Sequence, residues 1–190
     1  MSLKLADRLS TIGLRYMAMA GVDLSLIPPT LASFANATPP GNDRSASMLS
    51  IDLPDLRDRA NDEWLRLSLE GGLFSVLDRE FYLAVDRAEL GDVRSWWWAR
   101  VMLMESWDIM GLGAEGPLGN GFCRPGFVMI SLDGNVILRG DTWQTEIGCV
   151  IVRDPCNAEP FRQHGAWMVE RSRSPDWERT AIRRWMERCP

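Results

Sequence analysis

The sequence contains a single histidine, His164, and its four cysteines include no C-x-x-C pair. The usual structural zinc patterns need such pairs, so we expect no metal site of this kind. Any mechanism that uses a histidine base must use His164. The cysteines are expected to be reduced thiols, because a chain of 190 residues buries enough surface to fold without disulfides. They are Cys123, Cys149, Cys156 and Cys189.

The sequence also lacks a long uncharged apolar run. The longest weakly charged segment, residues 16–35, contains Asp23 and is interrupted by Pro28 and Pro29, so we do not expect it to span a bilayer. The N-terminus scatters charged residues among apolar ones, unlike a signal peptide. We therefore expect no membrane insertion and a cytoplasmic location.

Positive charge is scarce, because the formal net charge is -5 and Lys4 is the only lysine. A chain with this charge repels phosphate backbones, so nucleic-acid binding is not expected without a basic patch. The segment from Glu159 to the C-terminus has seven arginines against five acidic residues. A solvated helix with internal ion pairs accounts for this small excess.

Composition favours one ordinary globular domain covering residues 1–190, with 46% hydrophobic and 25% charged residues. Residues 3–20 have loosely helical apolar spacing, which predicts an N-terminal helix. Residues 28–50 are rich in Pro, Gly, Ser, Asn and Ala. We interpret them as a linker or a surface strap that follows this helix.

Helical periodicity predicts three consecutive helices in the next part of the chain. The first begins near Asp52 or Asp55 and stops at Gly71-Gly72. The second covers residues 73–90. The third covers residues 96–110 and is apolar around nearly its whole circumference, which predicts a central helix covered on several sides. The apolar face of the second would contain Phe74, Leu77, Phe81, Ala84 or Val85, and Ala88.

The strands that we expect lie in the stretch from residue 111 to residue 152, while residues 166–169 fit either a short strand or a helical turn. Asp133-Gly134 lies between two apolar runs and is a strong signal for a two-residue hairpin turn. We expect an antiparallel β-meander of about three strands, at residues 127–132, 135–139 and 143–152. A closing C-terminal helix follows Ser174 and Pro175. The expected fold is therefore α+β, with a helix-rich N-terminal two-thirds.

Residues 111–116 match the letters G-x-G-x-x-G of a dinucleotide-binding loop. That motif requires a strand before it and a helix after it, so that helix amides meet the pyrophosphate. Here a predicted helix precedes and a predicted strand follows. We interpret the segment as a helix exit and expect no nucleotide or other cofactor.

Four residues are candidates for catalysis. Cys156 and His164 are eight residues apart and have the chemistry of a nucleophile and its base. Asp133 and Asp141 cluster around the predicted hairpin and have the chemistry of paired carboxylates. They support an alternative hypothesis of a small enzyme or ligand-binding domain, with a pocket between the loop from Gly111 to Gly121 and the Asp133-Gly134 hairpin.

Nine tryptophans are many for a chain of this length. Those at positions 96, 97, 98 and 107 cannot all point inward from one helix, so at least one is expected at the surface. Tryptophan is a preferred interface anchor, although core filling also uses it. The leading hypothesis is a non-enzymatic protein–protein interaction module, such as an adaptor, inhibitor or immunity-type partner, with an aromatic and acidic surface. Its partner would be another protein or a second copy, and its candidate binding residues are Trp96, Trp97, Trp107 and Trp143.

Overall fold

The computed structural model describes residues 3–20, 26–41, 43–86, 96–171 and 173–189. Its strands are β1 (Leu14–Met19), β2 (Arg44–Ser50), β3 (Glu80–Asp86), β4 (Trp96–Leu103), β5 (Phe127–Ile130), β6 (Val136–Trp143) and β7 (Glu146–Arg153). These seven strands form one sheet in the order β1-β4-β3-β5-β6-β7-β2. Every pair of neighbours is antiparallel.

Helices cover both faces of this sheet. They are α1 (Leu3–Ser10), α2 (Pro29–Ala32), α3 (Leu56–Gly71), α4 (Glu159–Arg171) and α5 (Asp176–Arg188), with a 3-10 turn at Ser33–Ala37 and a π-helical turn at Ile109–Gly113. The α3-side core lies between the sheet and α1, α3 and the π-helical turn. The α5-side core lies between the other face and α2, α4 and α5.

The prediction of a helix-rich fold with three strands is wrong, because residues 80–86 and 96–103 form strands β3 and β4. Phe81 and Leu83 point into the α3-side core, whereas Tyr82 and Ala84 point into the α5-side core. A strand buried on both faces is apolar at every position, and periodicity does not separate it from a buried helix. Residues 87–90 of the predicted second helix lie outside the described residues.

The two edge strands of the sheet, β1 and β2, also lie in segments for which the sequence predicted other structure. Residues 14–19, inside the predicted N-terminal helix, form β1 after Gly13 adopts a positive φ of 79°. Residues 44–50, inside the expected linker or strap, form β2 and pair with β7 along the whole strand. β2 has few large apolar side chains because an edge strand is only half covered.

Three other features lie at the predicted positions: the end of α3, the hairpin and the start of α5. Helix α3 ends before Gly72, which has the left-handed φ of 83° that favours glycine at a helix end. A hairpin turn forms at Gly134, which has φ of 80° and donates its N–H to the carbonyl of Ser131 at 3.0 Å. Its loop is longer than the predicted two residues, because the innermost backbone bond between the strands runs from the Ser131 N–H to the Val136 carbonyl at 2.9 Å. Helix α5 begins directly after Pro175.

The antiparallel pairing gives the sheet two distinct ends. The hairpin end contains the Asp133-Gly134 turn and the start of β3, since Tyr82 pairs with Ile130 near the end of β5. The loop end contains residues 120–126, the turn between β6 and β7, and the start of β4. The seven residue steps of β6 separate the two ends by about 23 Å.

Candidate functional site

Three tryptophans form an aromatic surface at the loop end, where β4 and α5 begin. The indole rings of Trp97 and Trp177 stack with their centroids 6.2 Å apart and their planes at 25°. Trp96 is 44% exposed and Trp177 is 45% exposed. The stacking joins strand β4 to helix α5 and holds the rings of Trp97 and Trp177 in place. We call Trp96, Trp97 and Trp177 the tryptophan surface.

A cavity of about 230 Å³ lies beside Trp96, between α2 and the sheet. Its lining mixes polar and apolar groups, including Thr30, Val128 and Arg139. The hydroxyl of Thr30 donates to the carboxylate of Glu178, which is only 5% exposed and follows Trp177 in α5. The cavity is smaller than the roughly 300–1,000 Å³ of typical small-molecule sites, and its size suits one side chain of a partner.

Asp141 takes part in a network that holds the 3-10 turn on the sheet. Arg139 donates to Asp141 from Nη2 at 2.7 Å and from Nε at 2.9 Å, and it also donates to the carbonyl of Ser33. Asn36 donates to the same carboxylate. The backbone N–H of Thr142 donates to Asp141 at 2.8 Å. These contacts give Asp141 a structural role.

Asp133 builds the hairpin turn that contains it. Its carboxylate accepts hydrogen bonds from the Ser131 hydroxyl at 2.5 Å, and from the backbone N–H and side-chain amide of Asn135 at 3.0 and 2.9 Å. Burial alone raises the pKa of Asp133, but these hydrogen bonds outweigh it and lower the pKa below its ordinary value. Asp133 is therefore held as a charged turn-forming group.

Cys156 forms a disulfide with Cys189, so the expectation of four reduced thiols is wrong for these two residues. They are 33 residues apart, and the fold brings them together because α5 returns across the sheet to the segment after β7. His164 is stacked between Phe34, with centroids 3.9 Å apart, and Trp167, at 5.4 Å. Its partial burial lowers the pKa of His164.

Among the described residues, no hydrogen bond, ion pair or ring contact joins any two of the four catalytic candidates. Asp133 lies at the hairpin end of the sheet. Asp141 lies toward the loop end, because it is five residue steps along β6 from Val136, and these steps span about 17 Å. The thiolate of Cys156 is not available while its disulfide is intact. The loop from Gly111 to Gly121 leads into the start of β5 and the Asp133-Gly134 hairpin follows its end, so the fold separates the two walls of the expected pocket.

The other two tryptophans proposed for binding are partly buried. Trp107 packs on the α3-side core, with its ring 5.1 Å from that of the fully buried Trp64. Trp143 packs partly on the α5-side core and lines an open groove of about 510 Å³ with Phe122 and Arg124. We call this groove the loop-end groove.

The most exposed aliphatic side chains of the described residues were missed by the sequence prediction. Val76 is 74% exposed and Leu77 is 99% exposed, although Leu77 was assigned to the apolar face of a helix. They are the central residues of a turn closed by Ser75 and Asp78. The Ser75 N–H donates to the Asp78 carbonyl at 2.9 Å, and the Asp78 N–H donates to the Ser75 hydroxyl at 2.9 Å. We call residues 75–78 the Val76–Leu77 turn.

A second open groove, of about 550 Å³, lies beside the Val76–Leu77 turn at the hairpin end. Leu73, Phe74 and Leu132 contribute apolar surface to it. The charged side chains among its described lining residues are Asp78, Glu80 and Asp133, all of them acidic. This end of the molecule therefore combines apolar and negatively charged surface.

The described residues also contain neither a metal-binding cluster nor a membrane-spanning helix. In those parts of the chain, no three histidine, cysteine, aspartate or glutamate side chains group closely enough to hold a metal ion. None of the described helices is long and apolar enough to cross a membrane.

No protein-family model, curated protein or solved structure matches this chain. The function is therefore inferred from the residues and their geometry alone.

Proposed function

We propose that this protein is an interaction module that binds another protein through the tryptophan surface. The observation that carries the proposal is the exposure of Trp96 and Trp177, each close to half exposed in a chain that buries large cores on both faces of its sheet. Solvent exposure of an indole is unfavourable in the free protein. A partner that covers the surface removes this cost.

Tryptophan suits this role for two physical reasons. It buries a large apolar area with few rotatable bonds and keeps one N–H donor, which makes it one of the most frequent interface hot spots. The stack of Trp97 on Trp177 also holds the rings in place before binding. Little side-chain entropy is then lost when the partner docks.

The surroundings of the tryptophan surface indicate how a partner would engage it. The 230 Å³ cavity beside Trp96 offers room for a single inserted side chain. The net charge of -5 favours a partner with a basic surface, because complementary charge speeds association.

The proposal is tested by tagging the protein, capturing partners from the cells that make it, and repeating the capture with a Trp96→Ala/Trp177→Ala variant. Trp167→Ala is the matched control, because Trp167 on α4 is 49% exposed and lies outside the tryptophan surface. A stoichiometric partner should be captured by the wild type and by the control. Once that partner is purified, the double variant should weaken its Kd by about 30-fold or more, as expected for a hot spot.

Two results would contradict the proposal. One is the absence of a stoichiometric partner, and the other is a purified partner that binds the double variant with the wild-type Kd. Circular dichroism and thermal unfolding of each variant show whether the fold is intact, so that loss of binding is assigned to the surface.

A further inference from the structure

The Val76–Leu77 turn displays two aliphatic side chains in a fixed shape. Its base is anchored in the α3-side core by Phe74, which is 7% exposed and stacks on Phe81 with centroids 5.4 Å apart. Hydrogen bonds between Ser75 and Asp78 close the turn. A preformed turn of this kind loses little conformational entropy when it docks into an apolar cleft.

The turn and its surroundings also carry negative charge that ion pairs among the described residues neutralise only in part. Glu80 pairs with Arg100, whose Nη2 lies 2.5 Å from its carboxylate. Neither Asp78 nor Asp133 forms an ion pair within the described residues. The matching cleft should therefore have a cation at its rim, since complementary charge fixes orientation and speeds docking.

The loop-end groove has the complementary composition. Phe122 is 80% exposed at its edge, and the ring of Trp143 forms part of its lining. Arg124 is the charged side chain among its described lining residues, and no carboxylate in the described part of the chain pairs with it. The groove volume of about 510 Å³ leaves room for the side chains of one valine and one leucine.

We propose that copies of this protein associate head to tail, with the Val76–Leu77 turn of one copy in the loop-end groove of the next. The two surfaces lie at opposite ends of β6, about 23 Å apart, so one copy does not dock its turn into its own groove. A contact between two different surfaces leaves one of each free at the ends of an open assembly, so the assembly extends into a chain unless it closes into a ring.

This inference goes beyond the proposed function and does not depend on it, because neither surface includes Trp96 or Trp177. One turn in one groove buries a small area, so we expect a weak association that depends on concentration. Head-to-tail association would place several tryptophan surfaces on one assembly, which strengthens binding to a partner that has several sites.

The experiment is analytical ultracentrifugation of the purified chain between about 10 µM and about 1 mM, the range in which small interfaces dissociate. The weight-average mass should rise from 21.5 kDa at low concentration to beyond twice that value at high concentration. Two variants should remain monomeric: a turn variant, Val76→Ser/Leu77→Ser, and a groove variant, Phe122→Ser/Arg124→Glu. Met17→Ser, which removes an exposed apolar side chain from β1, should behave as the wild type.

Mixing the two variants distinguishes this contact from a symmetric one. The turn variant keeps an intact groove and the groove variant keeps an intact turn, so an equimolar mixture should form dimers and nothing larger. A wild type that stays monomeric at the highest concentration overturns the inference, as do variants that associate like the wild type or a mixture that stays monomeric. Binding of a monomeric wild type to phosphatidylcholine vesicles, lost in the turn variant, would instead assign the turn to a lipid surface and also overturn it.

Discussion

Asn61 on α3 and Asp108 hydrogen bond to each other and together hold the π-helical turn against the helix. The Asn61 side-chain amide donates to Asp108 Oδ1 at 2.7 Å, and its oxygen accepts from the backbone N–H groups of residues 109 and 110 at 3.0 and 2.8 Å. The Asp108 carboxylate accepts from the N–H groups of residues 111 and 112 at 2.9 and 3.0 Å. Arg57 donates to it as well.

Replacing Asn61 with alanine should lower the free energy of unfolding by about 1–3 kcal/mol. The substitution leaves the N–H groups of Ile109 and Met110 without their acceptor, and both residues are buried. Chemical denaturation measures the change. Asn157→Ala is the matched control, because the Asn157 amide bonds to Asp154 at the surface and its loss should change stability by less than about 0.5 kcal/mol. Equal effects of the two substitutions would contradict the structural role of Asn61.

The same cluster predicts a dependence of stability on pH. Burial raises the pKa of Asp108, but hydrogen bonds from Leu112, Asn61, Arg57 and Gly111 outweigh it and lower the pKa below its ordinary value. The charged carboxylate therefore stabilises the fold fully above about pH 3.9, and this contribution is lost as the pH falls through the lowered pKa. The difference in free energy of unfolding between the wild type and Asp108→Asn should shrink on acidification from neutral pH. A difference that stays constant down to the acid transition would contradict the assignment.

The sequence was sufficient where a single local signal decided the structure. Helix α3 has one apolar face containing Ala60, Trp64 and Leu67, and glycine ends it. The Asp133-Gly134 pair marked its hairpin through the positive φ of Gly134. These signals act within a few residues, so knowledge of the rest of the fold was not required.

Strands β3 and β4 could not be recognised from periodicity, because their environment comes from helices far away in the chain. Leu83 contacts a core completed by α1 and α3, and Tyr82 contacts one completed by α4 and α5. Assigning residues 73–90 to one helix also hid the Val76–Leu77 turn. Ser75 and Asp78, which lie three and six residues after Gly72, are a turn signal that was available in the sequence.

The candidate site was only partly accessible from sequence. Trp96 and Trp97 were named for the surface because four tryptophans cannot all point inward from one helix, although these two residues lie on strand β4. Trp177 is in a different element, and its stack on Trp97 depends on how α5 crosses the sheet. Trp107 was named by the same reasoning, yet its ring packs against Trp64 of α3 and is partly buried on the α3-side core.

The state of the four cysteines predicts a specific pattern of thiol reactivity. Cys123 is exposed and free, whereas Cys149 is free but buried, and burial raises the pKa of its thiol. The thiolate is the reactive form, so only Cys123 should react quickly with a thiol reagent in the native protein. Denaturation should reveal Cys149 as a second thiol, and reduction should reveal Cys156 and Cys189. Four reactive thiols in denatured, unreduced protein would contradict the disulfide.

The disulfide should also stabilise the position of α5, because it links the C-terminal end of that helix to the segment after β7. Cross-linking residues 33 apart restricts the unfolded chain, and the chain-entropy estimate for a loop of this length is about 3–4 kcal/mol. A Cys156→Ser/Cys189→Ser variant should lose stability of this order in chemical denaturation, whereas Cys123→Ser should not. Reductant should lower the wild-type midpoint toward that of the double variant and leave the double variant unchanged. If reductant shifts the midpoints of both proteins equally, the shift does not come from the disulfide. In that case the packing of Ile182 and Trp185 in the α5-side core holds α5 in place without it.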